Sequence, residues 1–412
     1  MNILIVNVGS TSLKYTLYHA GRPTARGRVQ RIGMAGTQLS HIAGSGVVVD
    51  MTADHLSYEM AIRRMLALLA EGGDLVDLSS LDAVGFKVVH GGSVTGTVRL
   101  TPQVLAEMER FRFTAPGHNP PYIAAIRLFA REAPTVPLVG VFETGFHRTL
   151  PPEAYTYGVP YAWLEDYGIR RYGFHGASHG YIGGRAAELL GPGKRVVSCH
   201  LGGSSSVCAL VDGRSVDVSM GFSPQGGPPQ SNRVGDLDAF VVLHLLKMGL
   251  KTVDGLIDEL TSSGGLKGIS GVSGDVRDLE EAAAAGDERA RLALDIFAYD
   301  VRKLIGAYAA AMGGLDAVVF TGGTGENGAD MRSRILSGLE FLGVGLDAGL
   351  NAAVVGREGR ISAPGAPIQV WVLPTDEEQV VAGEVAAYMV AYVAADAAAA
   401  VDQGATNPGG DA

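Results

Sequence analysis

The sequence predicts a two-domain α/β protein built from an internal duplication. Two stretches, residues 3–15 and 196–210, share a plan of apolar strand, turn with Gly and Ser or Thr, and second apolar strand. Strand patterns alternate with helical patterns along the rest of the 412 residues, a length sufficient for two hydrophobic cores. Because one such hairpin opens each half, we expect two related domains.

Glycine-rich turns follow three of the predicted strands. Two belong to the hairpins, and the third, 321–327, follows the apolar run 317–320. Such a turn can direct several backbone N–H groups at one anion, although a single one is more often an ordinary tight turn. Since two of the three occupy equivalent places in the repeat, we predict that they hold phosphate between the halves.

The composition excludes several classes of protein. Hydrophobic residues make up 47% and charged residues 18%, as in a globular protein, and the net charge of −10 argues against a broad nucleic-acid surface. No apolar run approaches the ~20 residues of a membrane helix, and no signal sequence precedes the first strand. Cys199 and Cys208 lie on neighbouring strands and are typical of small buried residues in a reducing compartment. We expect a cytoplasmic protein without nucleic-acid or membrane partners.

The first domain is expected over residues 1–150, with a final helix at about 376–400 returning to it. Its patterns are, in order, strands within 22–55, a helix at 58–70, a strand at 83–89, helices at 102–113 and 122–132, and a strand at 136–142. Strand ends in open α/β sheets are where ligands collect. The Gly-, Asn- and Pro-containing residues 401–412 are predicted to be a disordered tail.

The second domain is expected over residues 151–375. It contains the 196–210 hairpin and a Gly- and Pro-rich loop at 221–233, whose length indicates a functional role. Helices are predicted to begin at 238, 252 and 276. A long, largely apolar helix at 288–312 is typical of a core or of a dimer interface.

Polar and charged side chains cluster near these turns. Histidines recur there, at 90, 118, 147, 175, 179, 200 and less clearly 41, which indicates donors converging on a charged group. Lys87 and Arg233 lie in surroundings where an unpaired charge is costly, so we expect an anionic ligand at both. Glu143 and Glu377 follow predicted strands, where either could reach Mg²⁺ or simply cap a helix. Zinc is disfavoured because the HxxxH spacing from His175 lacks a further ligand.

Taken in order, the motifs resemble those of acetate kinases, members of the acetate and sugar kinase, Hsp70 and actin superfamily. The likeness covers residues 2 to about 389 and rests on the segments 7–14, 88–92, 118–121, 171–176, 199–202, 217–222, 233–236, 322–327 and 376–378. It implies two ribonuclease-H-like domains, a homodimer, and ATP with Mg²⁺ in the cleft between domains. The implied reaction transfers the γ-phosphate of ATP to a carboxylic acid and yields an acyl phosphate.

The resemblance also implies roles for individual residues. The catalytic set is Lys87, Glu143, His175 and Arg233. The substrate set is Lys87, Val89, Gly117, Phe174 and Pro224. The nucleotide set is Ser10, Ser12, Lys14, His118, His200, Gly202, Gly203, Asp275, Val276, Arg277, Gly322, Gly323, Gly325 and Asn327. The metal set is Asn7 and Glu377.

Four positions depart from the family pattern. Lys87 replaces an Arg, so a bidentate guanidinium fork becomes a single ammonium. Glu143 replaces an Asp and, being longer, can follow the displaced ammonium, so we predict that the two residues form a compensating pair. Gly117 replaces a Leu of the carboxylate pocket, and Gly203 replaces an Asn near the nucleotide phosphates.

These departures favour an ATP-dependent acyl kinase whose acid is other or larger than acetate. Three alternatives stay open: an acetate kinase with altered kinetics, a pyrophosphate-dependent acyl kinase, and a protein that binds nucleotide without transferring phosphate. The intact adenosine segments make the pyrophosphate alternative the weakest of the three.

Overall fold

The computed structural model describes residues 1–9 and 11–405, with backbone alone for 396–405. The chain divides into two compact units. Unit 1 comprises Met1–Gly145 and the chain from Glu377 onward, and unit 2 comprises Phe146–Asp376. The observed division thus follows Gly145, where the sequence analysis placed a boundary after residue 150.

Unit 1 contains an eight-stranded mixed sheet in the order β5-β4-β3-β2-β1-β6-β8-β7. The strands are β1 Asn2–Val8, β2 Ser12–His19, β3 Arg22–Gln30, β4 Thr37–Ile42, β5 Val48–Ala53, β6 Ala83–Val88, β7 Thr97–Arg99 and β8 Leu138–Phe142. The helices are α1 Tyr58–Glu71, α2 Pro102–Arg110, α3 Asn119–Glu132 and α15 Glu377–Ala405. β1, β6 and β8 run parallel, so their carboxyl ends lie at one edge of the sheet.

Helices cover both faces of the parallel strands in unit 1. β1 is accordingly a continuous apolar run, with its residues 3–6 buried, rather than an alternating pattern. On one face, a Cβ at Gly85 would lie 2.7 Å from both Ile5 Cδ1 and Val385 Cγ2, so only glycine allows α15 to lie this close to β6. Helices α1 and α2 begin at hydroxyl caps, where Ser57 and Thr101 accept backbone N–H groups of the first turn.

Unit 2 contains a six-stranded sheet in the order β11-β10-β9-β12-β14-β13. The strands are β9 Arg195–His200, β10 Ser206–Val211, β11 Arg214–Val218, β12 Ala317–Thr321, β13 Gly359–Arg360 and β14 Gln369–Val372. The run β11-β10-β9-β12-β14 has the same directions as β3-β2-β1-β6-β8 of unit 1, with an antiparallel hairpin followed by parallel strands. This repeated topology confirms the predicted duplication.

Unit 2 also carries most of the helices. They are α4 Pro152–Tyr155, α5 Ala162–Tyr167, α6 Gly176–Leu190, α7 Ala239–Lys247, α8 Val253–Asp258, α9 Gly265–Ser270, α10 Val276–Ala284, α11 Glu288–Ala311, α12 Gly322–Asn327, α13 Ala329–Leu336 and α14 Ala348–Ala353. Of the two roles predicted for the long apolar helix, α11 fits the core, because Leu294, Phe297, Val301 and Ile305 are buried in the main apolar cluster of the unit.

Two predictions about local structure were wrong. The third glycine-rich segment is the short helix α12 rather than a turn, because the Glu326 side chain accepts the Gly322 N–H at 2.9 Å and closes the first turn. The final helix extends to Ala405, five residues beyond the predicted end, so residues 401–405 are helical instead of disordered. The rest of the predicted tail, 406–412, lies outside the described residues. Among the described helices, not one has an apolar stretch long enough to cross a bilayer.

Candidate active site

In unit 1, a lysine ammonium lies between two carboxylates. Lys87 Nζ is 3.0 Å from Glu143 Oε1 and 2.5 Å from Glu377 Oε2. Lys87 belongs to β6, Glu143 directly follows β8, and Glu377 opens α15, so three separate elements deliver these groups to one place. The predicted pairing of Lys87 with Glu143 is confirmed as an ion pair, and Glu377 joins it as a second carboxylate. The charge that we expected a ligand to neutralise at Lys87 is neutralised by the protein itself.

Burial and the neighbouring carboxylates have opposite effects on the pKa of Lys87. Glu143 is 4% exposed and Lys87 16%, so all three charges are largely removed from water. Burial alone would lower the pKa of Lys87, but Glu143 and Glu377 outweigh it and hold the pKa well above its usual value. Lys87 is therefore an ammonium at any ordinary pH. Removing one partner from such an ion pair would leave an uncompensated buried charge. The free energy of unfolding would then fall by about 3–5 kcal/mol.

The Asn7 side chain is fixed by a tyrosine that the sequence analysis did not identify. Tyr122 Oη donates to Asn7 Oδ1 at 2.8 Å and accepts the Val8 N–H at 3.0 Å. Tyr122 is 1% exposed, and burial raises its pKa, so the hydroxyl keeps its proton. Asn7 and Lys87 directly follow Val6 and Phe86, the last register partners of the parallel strands, which places both near the edge where β1 and β6 end. In the sequence, Tyr122 directly follows Pro121 in the first turn of α3. This position is the feature from which its role could have been identified.

The segment before α3 leaves open space at Gly117. A Cβ built there meets nothing within 4 Å, and the backbone is not left-handed, so a side chain could be accommodated. His118 is the residue before α3, and Asn119 Nδ2 donates to the His90 carbonyl at 2.8 Å. That bond ties the start of α3 to the loop after β6, where Val89 is buried.

A pocket of about 420 Å³ lies in unit 2 beside the carboxyl ends of β9 and β12. It is lined by seven residues of the predicted nucleotide set: Gly202, Gly203, Asp275, Val276, Arg277, Gly323 and Asn327. The volume suits a nucleoside-sized ligand. Five further lining residues were not assigned to the nucleotide set: Ser231, Gly274, Glu280, Thr324 and Gly328. Thr324 and Ser231 lie within the 322–327 segment and the 221–233 loop, whereas no motif marks the other three.

Two other glycines of the predicted nucleotide set do not line this pocket. Gly322 has a left-handed φ of +76°, and a Cβ there would lie 2.7 Å from the Leu201 carbonyl oxygen. A Cβ built at the buried Gly325 would lie 3.4 Å from the Phe320 carbonyl carbon, an ordinary van der Waals contact, so glycine is not required there. Gly322 therefore allows α12 to approach the end of β9, a packing role that the sequence pattern does not distinguish from ligand contact.

Histidines and serines form a hydrogen-bonded cluster at the ends of α6, β9 and β10. His175 Nδ1 lies 2.8 Å from Ser206 Oγ, and the His175 ring stacks on His200 at 4.3 Å between centroids. His179 lies behind them, bonded to Ser206 and Ser198, and burial lowers its pKa well below the usual range. The predicted convergence of histidines is confirmed for these three.

The backbone of His175 is unusual. Its φ of 56° and ψ of 32° place a non-glycine residue in the left-handed region, directly before α6. That conformation costs of order 1–3 kcal/mol and is retained at functional sites when surrounding contacts determine it. Here the Ser206 hydrogen bond and the His200 ring are those contacts. The strained backbone thus aims the His175 ring across the end of β10.

Arg233 differs from Lys87 in having only neutral partners. Its Nη1 donates to Ser204 Oγ at 3.0 Å and Gln230 Oε1 at 3.2 Å. Burial lowers the pKa of the guanidinium, and no carboxylate in the described part of unit 2 compensates it. A partly buried guanidinium with unused N–H donors is suited to an anionic ligand. The expectation of a ligand at Arg233 therefore stands.

The remaining predicted residues stay predictions. Ser12 and Lys14 lie at the start of β2, and Ser10 lies outside the described residues. Phe174 and Pro224 are buried in unit 2, Phe174 beside His175 and Pro224 in the 221–233 loop, where its carbonyl accepts the Gln230 amide at 2.8 Å.

Glycine-rich segments at the ends of parallel strands, an adjoining nucleoside-sized pocket and a duplicated α/β fold are the features of a nucleotide-dependent phosphotransferase. The family model of the acetokinase family matches residues 2–383. The chain belongs to this family, and it is therefore an ATP-dependent phosphotransferase whose acceptor is a carboxyl group.

Individual relatives support the same conclusion. The chain is 43% identical to the acetate kinase of Bacillus subtilis over 389 residues and 45% identical to that of Desulfitobacterium hafniense over 390, in each case 93% of this chain and 98% of the relative. Among solved structures, a Porphyromonas gingivalis acetate kinase superposes with a TM-score of 0.82 at 37% identity, and a Francisella tularensis propionate kinase with 0.86 at 33%. Both cover 93% of this chain and 98% of their own. The predicted family and two-domain α/β fold are confirmed.

Proposed function

We propose that the protein transfers the γ-phosphate of ATP to short-chain carboxylic acids and that its specificity is shifted toward acids larger than acetate. A carboxylate oxygen of the acid forms a bond to the γ-phosphorus while the bond from that phosphorus to the β,γ-bridging oxygen breaks. ADP leaves with the electron pair of the broken bond, and an acyl phosphate is formed. Catalysis of this kind depends mainly on positioning and on stabilising charge.

The two units supply different groups to this reaction. The unit 2 pocket binds the nucleotide, and Arg233 offers guanidinium N–H donors to phosphoryl oxygens. His175, held by Ser206, offers a second donor. In unit 1, Glu143 and Glu377 each accept one N–H of the Lys87 ammonium and hold it in place, and its third N–H is offered to the carboxylate of the acid.

A magnesium ion fits the oxygen ligands at the sheet edge of unit 1. Mg²⁺ is usually bound through one or two carboxylates together with substrate phosphates, and Glu377 and the Asn7 amide oxygen have the required chemistry. When bound, the ion would neutralise charge on the nucleotide phosphates. Tyr122 donates to Asn7 Oδ1 and so fixes the orientation of the amide, whose oxygen keeps a second lone pair.

The observation that carries the shift in substrate is the open space at Gly117. Because no atom lies within 4 Å of the added Cβ, the chain end of a longer acid has room where a larger side chain would close it. Burying each CH₂ is worth about 0.8 kcal/mol, so two or three extra carbons would increase kcat/KM about 10-fold or more over acetate.

The test is a panel of acids with ATP, Mg²⁺ and hydroxylamine, which traps any acyl phosphate as a hydroxamate. Acetate, propionate, butyrate and hydroxylated or amino acids of similar size are compared in the native protein and in Gly117→Leu. We expect a longer acid to be preferred by the native protein and acetate by the variant. A native preference for acetate that Gly117→Leu leaves unchanged would refute the shift but not the kinase.

Acetate itself is the second candidate, supported by the acetate kinases at 42–45% identity. The panel decides between the two. Replacing ATP with pyrophosphate in the same assay tests the pyrophosphate alternative, and nucleotide binding without hydroxamate would indicate a binding protein. A cytoplasmic location stays a prediction, based on the two buried free thiols.

We also propose that two copies associate through α7 and its flanking segments. No residue of this helix is buried within the described chain, and its apolar side chains include Phe240, 76% exposed, and Leu243, 53% exposed. Met248 and Leu250 extend the surface. A contiguous apolar patch of this kind marks an interface, and the family resemblance favours a second copy as occupant.

Light scattering after size exclusion tests the dimer. The native protein should be a dimer and Phe240→Glu/Leu243→Glu a monomer, while the control Phe113→Glu, at an exposed apolar residue of unit 1, should not change the mass. A monomeric native protein would contradict the proposal, as would a dimer that survives the double substitution.

A further inference from the structure

Three cations share one face of the unit 1 sheet, on strands β2 and β3. Strand register sets Lys14 of β2 directly opposite Arg28 of β3, and Arg28 opposite Ser40 of β4. Arg26 lies two residues from Arg28, opposite Thr16, and therefore faces the same side. We call the concavity that these side chains border the cationic groove.

The cationic groove has a defined volume and a mixed lining. It encloses about 420 Å³, with Thr16, Ser40, Ile42 and Glu378 completing its walls. β2, β3 and β4 form the floor, and the first turn of α15 contributes Glu378 at one end. Glu378 is the single carboxylate of the lining, and its Oε2 accepts the Thr16 hydroxyl at 2.6 Å. Three positive charges against one negative charge leave the groove positive.

The cations of the groove are not compensated by the chain. Lys14, Arg26 and Arg28 form no ion pair or side-chain hydrogen bond within the described residues. Elsewhere in unit 1, by contrast, Arg63 and Arg64 on α1 pair with glutamates at 2.7–3.1 Å. Like charges directly opposite on neighbouring strands destabilise a sheet, so the pair Lys14 and Arg28 has a cost that a bound anion would remove.

The geometry selects the class of anion. Residues two apart on a strand are about 7 Å apart, so the two guanidinium groups can address two neighbouring anionic groups at once. The Ser40 hydroxyl adds a donor on the same face as Arg28, whereas the Thr16 hydroxyl donates to Glu378. In a chain of net charge −10, a local cluster of this kind attracts a small, highly charged ligand rather than a long polyanion.

We propose that the cationic groove binds a small phosphate-bearing polyanion at a site separate from the nucleotide pocket. Arg26 and Arg28 carry the specificity of this site, because neither belongs to the residues proposed for nucleotide or metal. Lys14 contributes charge to the groove and is also a member of the proposed nucleotide set. The proposal does not depend on which acid the enzyme phosphorylates.

The test is calorimetric titration of inorganic tripolyphosphate into the full-length protein saturated with Mg²⁺ and ADP, which occupy the nucleotide site. We expect one further binding event, weakened at least 10-fold in Arg26→Gln/Arg28→Gln and largely retained in Arg26→Lys/Arg28→Lys. Arg22→Gln, on the same strand but outside the lining, is the matched control and should bind like the native protein.

Two results would overturn the proposal. One is the absence of tripolyphosphate binding once ADP is saturating, and the other is unchanged affinity in the double glutamine variant. Because the lysine variant keeps the charge, its recovery of binding separates loss of the site from loss of the fold. Hydroxamate formation, measured in parallel, reports on the kinase independently of this site.

Discussion

The two units use charge in opposite ways. Unit 1 concentrates it, with the Lys87 ammonium between two carboxylates at the end of the parallel strands. In unit 2, five of the twelve residues that line the pocket are glycines, and burial lowers the pKa of His147 and of His179, which favours their neutral forms. The partly buried Arg233 guanidinium has neutral hydrogen-bond partners, Ser204 and Gln230.

This difference explains where the chain tolerates departures from its family pattern. In unit 1, the changed side chains at 87 and 143 contact each other, so one change can offset the other. In unit 2, the departure at Gly203 is a lining glycine with no atom within 4 Å of an added Cβ, so no neighbour has to adjust. The charged cluster therefore accepts a pair of substitutions at residues in contact, whereas the open pocket position accepts a single substitution.

Arg233→Ala tests the guanidinium of unit 2 that is proposed to meet phosphoryl oxygens, and it should have the largest effect. Removing a positioned cation from a phosphoryl-transfer site typically costs ~10³-fold or more in kcat. Nucleotide binding should change far less, because Arg233 does not line the nucleotide pocket. The control is Arg357→Ala, at a surface arginine of unit 2. Arg332→Ala is unsuitable because that buried guanidinium supports the fold. A near-normal kcat in Arg233→Ala would contradict a role for Arg233 in the reaction.

The neutral state of a buried histidine in unit 2 can be tested by varying the pH. Burial lowers the pKa of His147 from 6.5 to about 4, and its Nε2–H donates to the Phe174 carbonyl while Nδ1 accepts from Ser215. The unfolded chain therefore binds a proton at higher pH than the folded chain. This contribution to stability is fully present above pH 6.5 and is lost as the pH falls toward 4, by up to ~3 kcal/mol.

Denaturant unfolding between pH 7.5 and 4.5 measures this loss. His147→Gln should reduce the pH dependence of the free energy of unfolding, even though it lowers stability at pH 7.5. His55→Gln, at an exposed histidine of unit 1, should leave the slope unchanged. If the slope of His147→Gln equals that of the native protein, His147 is not the group that titrates.

Tyr122→Phe tests how unit 1 holds its metal ligand. The variant removes the donor to Asn7 Oδ1 and leaves the amide free to rotate. Partners that orient a metal ligand typically contribute 10- to 100-fold to affinity, so the Mg²⁺ concentration for half-maximal activity should rise about 10-fold with little change in saturated kcat. Direct Mg²⁺ titration in the presence of ADP should show the same shift. Tyr15→Phe removes another buried tyrosine hydroxyl, bonded to His41, and should not change the metal dependence.

Much of this architecture was predictable from sequence because its signals are local. The hairpins, the parallel strands and the motifs at their ends follow from apolar runs and glycine placement over a few residues. The contact between Lys87 and Glu377 joins positions 290 residues apart, and no local pattern reports it. The glycine content of residues 321–327 predicted a turn. Instead, the Glu326 side chain accepts the Gly322 N–H and closes the first turn of helix α12. Tyr122 was missed because one aromatic residue in a helix is usually core.

The compensating pair is the central claim for unit 1. Glu143→Asp should withdraw its carboxylate from an ammonium now 3.0 Å away, and Lys87→Arg should crowd a larger group between two carboxylates. Each single variant should lower kcat/KM about 10-fold or more on the best acid. Both changes together should restore the fit, because the shorter carboxylate makes room for the guanidinium.

The most direct measurement is therefore kcat/KM for the native protein, the two single variants and Lys87→Arg/Glu143→Asp. Compensation predicts that the double variant recovers to within about threefold of the native value, a coupling of at least ~2 kcal/mol between the two positions. If the losses of the single variants instead multiply in the double variant, Lys87 and Glu143 act independently and the account of unit 1 is wrong.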